Sequence, residues 1–329
     1  MAALTLAEAE TLVVHTLVRC RTGEDNARSV ARALVLAEGD GLKGHGLSRV
    51  PSYALQAKVG KVDGFAIPAL EMPRPGVLAV DAGNGFAYAA IEAAEAALPQ
   101  AARTNGIAAA TIRRSHHCGA AGHPVERLAE AGLVAMMFAN TPAAIAPWGG
   151  SRAVFGTNPI AFGCPLPGRA PIVIDLSLSK VPRGNLMVAR QRGERIPADW
   201  ALDADGRPTT DPEAALKGTM LPLGDAKGTA LALMVELLAA GLTGANFAAE
   251  ASSFLDAEGP PPATGQLILA LHPSAFGTDA LSRFATLAAS IEEQPGARLP
   301  GARRLELRRK AAAQGLQMSD GLLAEIKAL

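Results

Sequence analysis

Cysteine is nearly absent: the 329 residues include 3, at positions 20, 118 and 164. An odd number of widely spaced thiols argues against a disulfide framework and fits a reducing compartment. Net charge is missing too, with 31 basic and 31 acidic residues and no basic block. That speaks against a nucleic-acid footprint and a polybasic membrane patch. The opening MAALTLAEAETLVVHTLV has no positive leader, and Glu8, Glu10 and His15 interrupt its apolar residues. It reads as neither a signal peptide nor a membrane span, so the expectation is a cytoplasmic protein. Internal repeats, paired cysteines, an EF-hand loop and a Gly-x-Ser-x-Gly elbow are all lacking. Small molecules and further copies of the chain are the expected partners.

What the chain does have is apolar residues, 49% of it, enough for one large core or two moderate ones. Thr5 with Glu8 three residues on is a helix start, followed by a helix from Asn26 to about Glu38 and a short one from Ser48 to Lys58. From Pro68 the pattern changes. GVLAVDA, AYAAIEAAEAALPQAA and GIAAATIRR read as strand, helix and strand, a βαβ-like rhythm. PVERLAEAG reads as a short helix. LVAMMFAN, PIVIDLSLS and GQLILAL read as strands, and AVFGTNPIAFGCPLP as loop and strand. The polar stretch from Arg195 to Lys217 reads as a surface excursion. Helix is expected again from Lys227 to about Ala240 and in the charged tail after Pro300.

Four stretches carry candidate chemistry. Gly83 and Gly85 have the spacing of a dinucleotide-binding turn, with Arg113 and Arg114 on the next strand as candidates for a 2′-phosphate. Tyr88 fills the position where that fingerprint needs a small residue, and a plain tight turn explains the glycines equally well. The stretch SHHCGAAGH, Ser115 to His123, holds three of the 6 histidines. His116, His117, Cys118 and His123 are metal-ligand types, but adjacent histidines on a strand point to opposite faces. Cys118 or Ser115 beside a histidine is a candidate nucleophile, against the commoner reading of a small buried cysteine. In the fourth stretch, LKGHGLSRVPSY, His45 lies between glycines with Arg49 and then Tyr53 following at four-residue intervals. An acid/base next to a guanidinium that grips a carboxylate suits reduction at the carbon beside that carboxylate. A surface loop with a solvated arginine is the bland alternative.

In order along the chain, GHGLSRVPSY, SHHCGAAGH, GTNPIAFGCP, IDLSLSKVPRGN, LGDAKGTALALMVELLAAGLTGA and PGARR resemble the motif series of the malate/L-lactate dehydrogenase family. This NAD(P)-dependent group is distinct from the classical lactate dehydrogenases. It includes sulfolactate dehydrogenase, ureidoglycolate dehydrogenase and Δ1-piperideine-2-carboxylate/Δ1-pyrroline-2-carboxylate reductase.

The resemblance implies an α/β, non-Rossmann NAD(P)-binding fold: a mixed β-sheet flanked by helices, plus a mainly helical region from the N-terminus and C-terminal tail. It implies residues 1–65 with 300–329 as a helical substrate and dimer region, 66–299 as a mixed α/β cofactor-binding domain, and a homodimer. Gly83 and Gly85 become turn formers. His45 resembles the proton donor and Arg49 the holder of the substrate carboxylate, with Thr157 and Arg183 as further substrate contacts. His117, Cys118, Gly119, Ala120 and Ala121 match a cofactor loop. Asp175, Leu176 and Ser177, then Lys227 and Gly228, then Arg303 and Arg304 match further cofactor segments. Among the clustered histidines, His117 is the one expected in the site. His116 is expected to point away, His123 to lie in solvent or at a helix start, and Cys118 to give shape rather than thiol chemistry. The expected cofactor is NADP or NAD, with NADP favoured, and no metal is expected.

Two departures bear on the substrate. The family's Ser-His-Gly is here Gly44-His45-Gly46. The acid that the imine reductases carry after Arg-Gly is here Asn185, so both partners of a Ser-His-acid relay are missing. A protonated imine asks less of an acid than a ketone does, but the relay is the imine reductases' own signature. The reading taken is a 2-hydroxy/2-oxo acid dehydrogenase of the malate, lactate or sulfolactate type, with a cyclic imine reductase as the alternative. Two smaller departures are His272 before Pro273, read as a capped strand end, and Asp225-Ala226 before Lys227.

Overall fold

The computed structural model of the chain describes residues 2–329. It begins with β1 (Ala2–Leu4), α1 (Leu6–Arg19), α2 (Glu24–Gly39) and α3 (Val50–Val59). Thr5 caps α1 as its spacing predicts: its hydroxyl accepts from the Glu8 N–H, and Glu8 Oε2 accepts from the Thr5 N–H at 2.8 Å. α2 starts two residues earlier than expected, behind Gly23, with Glu24 and Asp25 at the positive end of the helix dipole. Between α2 and α3 the chain makes two 3₁₀ turns, Lys43–His45 and Leu47–Arg49. Gly46 is what lets them sit against α2, since a Cβ there would overlap the Glu38 carboxylate, which accepts from the Leu47 N–H at 3.0 Å.

The central part runs β2 (Ala69–Arg74), β3 (Val77–Asp81), α4 (Ala87–Asn105), β4 (Ile107–Ser115), α5 (Gly122–Glu130), β5 (Val134–Ala139), β6 (Ile160–Leu166) and β7 (Arg169–Leu176). It continues through α6 (Arg183–Arg192), β8 (Ala201–Leu202), α7 (Pro212–Lys217), β9 (Thr219–Met220), α8 (Asp225–Glu236) and β10 (Thr264–Leu271). The chain ends with α9 (Ala280–Glu292), α10 (Ala302–Gln314), β11 (Leu316–Met318) and α11 (Asp320–Ala328).

Seven strands form one mixed sheet in the order β2-β3-β4-β10-β5-β6-β7. Only β3 and β4, the strands joined by α4, pair in parallel. They are the βαβ unit that the sequence rhythm predicts. β10 arrives late in the chain and completes the middle, with Ile268 opposite both Ala110 and Met137. Alternation then gives the sheet two buried faces. Ala110, Ile112, Met137 and Ile268 pack with α4 and α5, while Phe138 and Leu267 pack with Leu186, Ala189, Ala232 and Val235 on the other side. A third core joins the chain ends: Val13, Leu17, Val30, Leu34 and Tyr53 pack with Leu316, Met318 and Ile326. β1 and β11 pair beside it.

β2, α6 and α9 have no counterpart in the sequence reading, for a physical reason. Every residue of β2 is exposed, and α9 buries only Ala288, so neither shows the periodicity of a half-buried element. The Arg195 to Lys217 excursion contains β8 and α7.

One polar contact ties separate regions together. The Asp40 carboxylate, just past α2, accepts from Arg308 Nε at 2.7 Å, His123 Nε2 at 2.9 Å and Arg304 Nη1 at 3.0 Å. Glu126 of α5 takes both arginines as well, Arg304 in two-point contact at 2.7 and 2.8 Å. Burial acts to raise the Asp40 pKa, but the Arg308 and His123 hydrogen bonds and the Arg308 charge hold it well below the usual carboxylate range. A depressed folded-state pKa gives stability that is present above the unfolded value of about 3.9 and is lost as pH falls through the folded value. Asp40→Asn leaves two buried arginines under-compensated. It is expected to cost about 3 kcal/mol, lowering the thermal midpoint by about 6 °C at pH 7. Scanning calorimetry of both proteins checks this, and the gap is expected to narrow below pH 4.

Candidate active site

His45 ends the first 3₁₀ turn, with Nδ1 buried and without a hydrogen-bond partner. Arg49 lies one turn on. Its Nε donates to the Gly44 carbonyl at 2.6 Å, which fixes the guanidinium over the histidine turn and leaves both terminal nitrogens for a ligand. Burial, and then the Arg49 charge, push the His45 pKa down to about 4. The imidazole is therefore neutral near pH 7 and its buried nitrogen lacks a partner, an arrangement a bound ligand can complete.

The SHHCGAAGH stretch leaves the end of β4 and leads into α5. His117 stacks on His45, ring centroids 5.2 Å apart and planes at 19°. His116 bonds a different partner, Gln56 Oε1 at 2.8 Å, but both rings lie against Tyr53 and Phe254, so the two side chains are not parted to opposite faces as expected of adjacent histidines on a strand. Cys118 is buried, and burial pushes its thiol pKa up to about 12. Gly119 has φ +70°, and a Cβ on it would lie 2.7 Å from the Tyr88 hydroxyl. Among the described residues, the backbone N–H groups from His117 to Ala121 find no acceptor. His123 lies at a helix start as expected, the second residue of α5, and is buried there, held by Asp40, not in solvent.

The end of β7 joins this group to a second one. Asp175 Oδ2 accepts from the Gly122 N–H at 2.8 Å, and crowding around the carboxyl raises its pKa by desolvation. Leu176 is exposed, and the Ser177 hydroxyl bonds that of Ser179 at 2.7 Å. The next residue, Leu178, donates to the Thr157 carbonyl and accepts from the Leu223 N–H, each at 2.8 Å. Thr157 is therefore beside β7, its hydroxyl 3.3 Å from that of Thr141. Lys227 is exposed in the first turn of α8. Gly228 next to it is buried where a Cβ would overlap the Leu223 carbonyl.

Three expected residues lie apart from these groups. Arg183 is exposed and reaches the Leu216 carbonyl of α7 at 3.5 Å. Arg303 is exposed beside a cavity of about 440 Å³ that also includes Leu42 and Gly301. Arg304 borders that cavity, but its guanidinium is engaged by Asp40 and Glu126 and is not a free cation for a phosphate. Arg113 and Arg114 likewise pair with Asp81, closing the Gly83 turn. Asn185 is exposed at the start of α6 and makes no contact with His45. His272 follows β10, its backbone N–H donating to the Gly106 carbonyl at 2.9 Å, and its side chain makes no cap hydrogen bond. Among the described residues no three His, Cys, Asp or Glu side chains form a metal-binding group. Asp40, Glu126, Gln56, Tyr88 and Phe254 were not picked out by the sequence reading as site residues. Their partners are distant in the chain and leave no local spacing to detect.

The profile of the family described as malate/L-lactate dehydrogenase matches residues 4–327. The chain belongs to the malate/L-lactate dehydrogenase family. It is 51% identical over 326 residues to an NADP(+)-dependent (2R)-3-sulfolactate dehydrogenase of Chromohalobacter salexigens, covering 99% of this chain and 97% of that one. It is 42% identical to a Δ1-pyrroline-2-carboxylate reductase of Ancylobacter novellus, covering 99% and 97%. Among solved structures, Δ1-piperideine-2-carboxylate reductase from Pseudomonas syringae superposes with a TM-score of 0.94 at 37% identity, covering 100% of this chain and 99% of that one. Like other family members, this chain is an NAD(P)-dependent oxidoreductase on a mixed α/β fold.

The thiols are shielded. Cys20, Cys118 and Cys164 are all buried, and Cys118 stays protonated across the neutral range. Iodoacetamide at pH 8 is expected to leave the native enzyme unmodified by mass spectrometry. In denaturant, all 3 thiols of the sequence are expected to react.

Proposed function

We propose that the enzyme is an NADP-dependent 2-hydroxy acid dehydrogenase of the sulfolactate type, with His45 as acid/base and Arg49 as carboxylate clamp. The observation that carries the reading is the pairing of a partnerless, buried His45 Nδ1 with an Arg49 guanidinium pinned through Nε. The relative with highest identity among those compared supports the substrate class. The residues also fit a nicotinamide dinucleotide. Unpaired N–H groups from His117 to Ala121 offer donors to an anionic or amide group, and small Gly119, Ala120 and Ala121 leave the backbone approachable. Asp175, Leu176, Ser177, Lys227 and Gly228 would hold the rest of it, with Arg303 beside the cavity at the start of α10.

The bound cofactor supplies or accepts the hydride at C2. Arg49 grips the substrate carboxylate, assisted by the Thr157 hydroxyl, and so sets C2 beside His45. During reduction His45 gives a proton to the oxygen on C2, and during oxidation it takes that proton back. A carboxylate on Arg49 offsets the positive charge that depresses His45, so substrate binding raises the histidine pKa and loads the acid. No such help comes from residues 44 or 185: glycine has no side chain and Asn185 lies elsewhere. Arg183 is assigned to the substrate mouth only if α6 moves toward the cleft.

A cyclic imine reductase is the second reading, favoured by the 42% identity to a pyrroline-2-carboxylate reductase. We further propose a cytoplasmic homodimer, with residues 1–65 and 300–329 forming a helical substrate and dimer region and 66–299 forming the cofactor-binding domain. Exposed Leu231, Leu233, Met234, Leu237 and Leu242 on and after α8 provide an apolar face suited to a second copy. No helix is long and apolar enough to cross a membrane among the described residues.

A panel pairing NADPH and NADH with sulfopyruvate, oxaloacetate, pyruvate, pyrroline-2-carboxylate and piperideine-2-carboxylate tests the reading. Sulfopyruvate with NADPH is expected to give the highest kcat/KM, and turnover of imines alone would replace the first reading with the second. His45→Ala is expected to lower kcat about a hundredfold or more with cofactor affinity unchanged. With a free-enzyme His45 pKa of about 4, kcat/KM for 2-oxo acid reduction is expected to fall about tenfold per unit as pH rises from 6 to 8. A profile flat across that range removes His45 as the acid. Arg49→Lys is expected to raise the substrate KM about tenfold or more, because lysine cannot make the planar two-point contact.

A further inference from the structure

The 2 tyrosines of the whole chain lie together behind His117. Tyr53 Oη is 2.5 Å from His117 Nδ1 and 3.2 Å from Tyr88 Oη, and all three groups are buried. Burial pushes the Tyr53 pKa up to about 12 and raises that of Tyr88 well above its ordinary value, so both phenols keep their protons at neutral pH. Burial, and then the charge of Arg49, depress the His117 pKa well below its ordinary value, so the ring is neutral and carries one proton.

Three protons serve two bonds, so either direction leaves one proton without a protein acceptor, and the better place for it is His117 Nε2, which is not sealed from the surface as His45 Nδ1 and His116 Nδ1 are. If Tyr88 donates to Tyr53 and Tyr53 donates to His117 Nδ1, every hydroxyl proton meets an acceptor. In the opposite direction, from His117 Nδ1 to Tyr53 to Tyr88, the Tyr88 proton has no acceptor, because Tyr53 is the only hydrogen-bond partner of that hydroxyl among the described residues. A buried O–H without an acceptor is disfavoured by about 1–3 kcal/mol. The favoured direction leaves the His117 proton on Nε2, which has no protein partner.

We propose that Tyr53, anchored by Tyr88, is a positioning residue that fixes His117 in its Nε2–H tautomer, so that the ring presents a donor to the cofactor or substrate in the cleft. The placement of that ligand rests on the function proposed above. The tautomer itself does not. His116 shows the contrast. Gln56 Nε2 donates to the Phe254 carbonyl at 2.9 Å, so Gln56 Oε1 accepts from His116 Nε2–H, and that donor is used up inside the protein. Adjacent histidines therefore hold the same tautomer, one for packing and one facing the cleft. Tyr88 also has a second contact with this loop, since it occupies the space that a side chain on residue 119 would need.

The test is ¹⁵N-histidine NMR of the full chain between pH 6 and 9, with His117→Gln to assign the signal, and steady-state kinetics with whichever panel substrate is turned over. The wild type is expected to show His117 as the Nε2–H tautomer throughout. Tyr53→Phe keeps the ring and removes the hydroxyl, and is expected to give mixed tautomers and a kcat/KM about tenfold lower, a loss typical of one hydrogen bond. Tyr88→Phe removes only the anchor and is expected to shift the tautomer part of the way. A wild-type signal in the Nδ1–H form overturns the proposal whatever the tyrosine variants do. An unchanged tautomer in folded Tyr53→Phe overturns it too. If no panel substrate is turned over, the functional reading falls while the NMR result still decides the tautomer.

Discussion

The active-site geometry depends on one buried carboxylate. Asp40 ends the helix that leads into the His45 turn, His123 follows the 117–121 loop, and Arg304 and Arg308 belong to α10. Three stretches far apart in sequence are thus fixed at one point, and they adjoin the His45 turn and the 117–121 loop. Apolar packing alone tolerates sliding by fractions of an ångström, whereas charge-assisted bonds of 2.7 to 3.0 Å with two-point geometry do not. Glu126 completes the balance, two carboxylates for two guanidiniums, so that burying the cluster leaves no uncompensated arginine.

Behind that anchor, the histidines are buried under the charge of Arg49. Burial depresses His45, His116 and His117 alike, and the Arg49 charge adds to each shift. Three imidazoles within one such region would repel one another if charged, so all are kept neutral and each is assigned by its neighbours. His116 gives its Nε2 to Gln56, His117 is backed by Tyr53, and His45 and His116 each keep a buried Nδ1 without a partner, of which only that of His45 lies beside the Arg49 guanidinium. What at first resembles surplus reactive chemistry in SHHCGAAGH resolves into one ring for packing, one lining the cleft and one for the inter-region anchor.

Much of this was legible locally. Thr5 and Glu8, the βαβ rhythm around α4, and the His45–Arg49 spacing are all set within a few residues, where capping, periodicity and turn chemistry act. The ordered motifs carried the family. What sequence could not show was pairing at long range: Arg304 reads as a solvated helical arginine until Asp40, 264 residues away, is placed beside it. Tyr88 reads as a residue that spoils a glycine fingerprint until Gly119 is seen against its hydroxyl. β2 was silent because an all-exposed strand has no buried face to pattern.

The missing relay follows the same electrostatic logic. A histidine backed by its own carboxylate is held ready for protonation whatever is bound. In this chain position 44 has no side chain and residue 185 is an uncharged asparagine, so neither supplies a carboxylate, and the Arg49 charge opposes protonation of His45. Only an anion seated on Arg49 reverses that field. On the proposed roles of Arg49 and His45, recognition of the substrate carboxylate and activation of the acid would be one event: a molecule without a carboxylate would bind poorly and would also leave the histidine unprotonated. Selectivity for 2-substituted carboxylates would then be built into the proton transfer, with the substrate supplying negative charge that this chain lacks at positions 44 and 185.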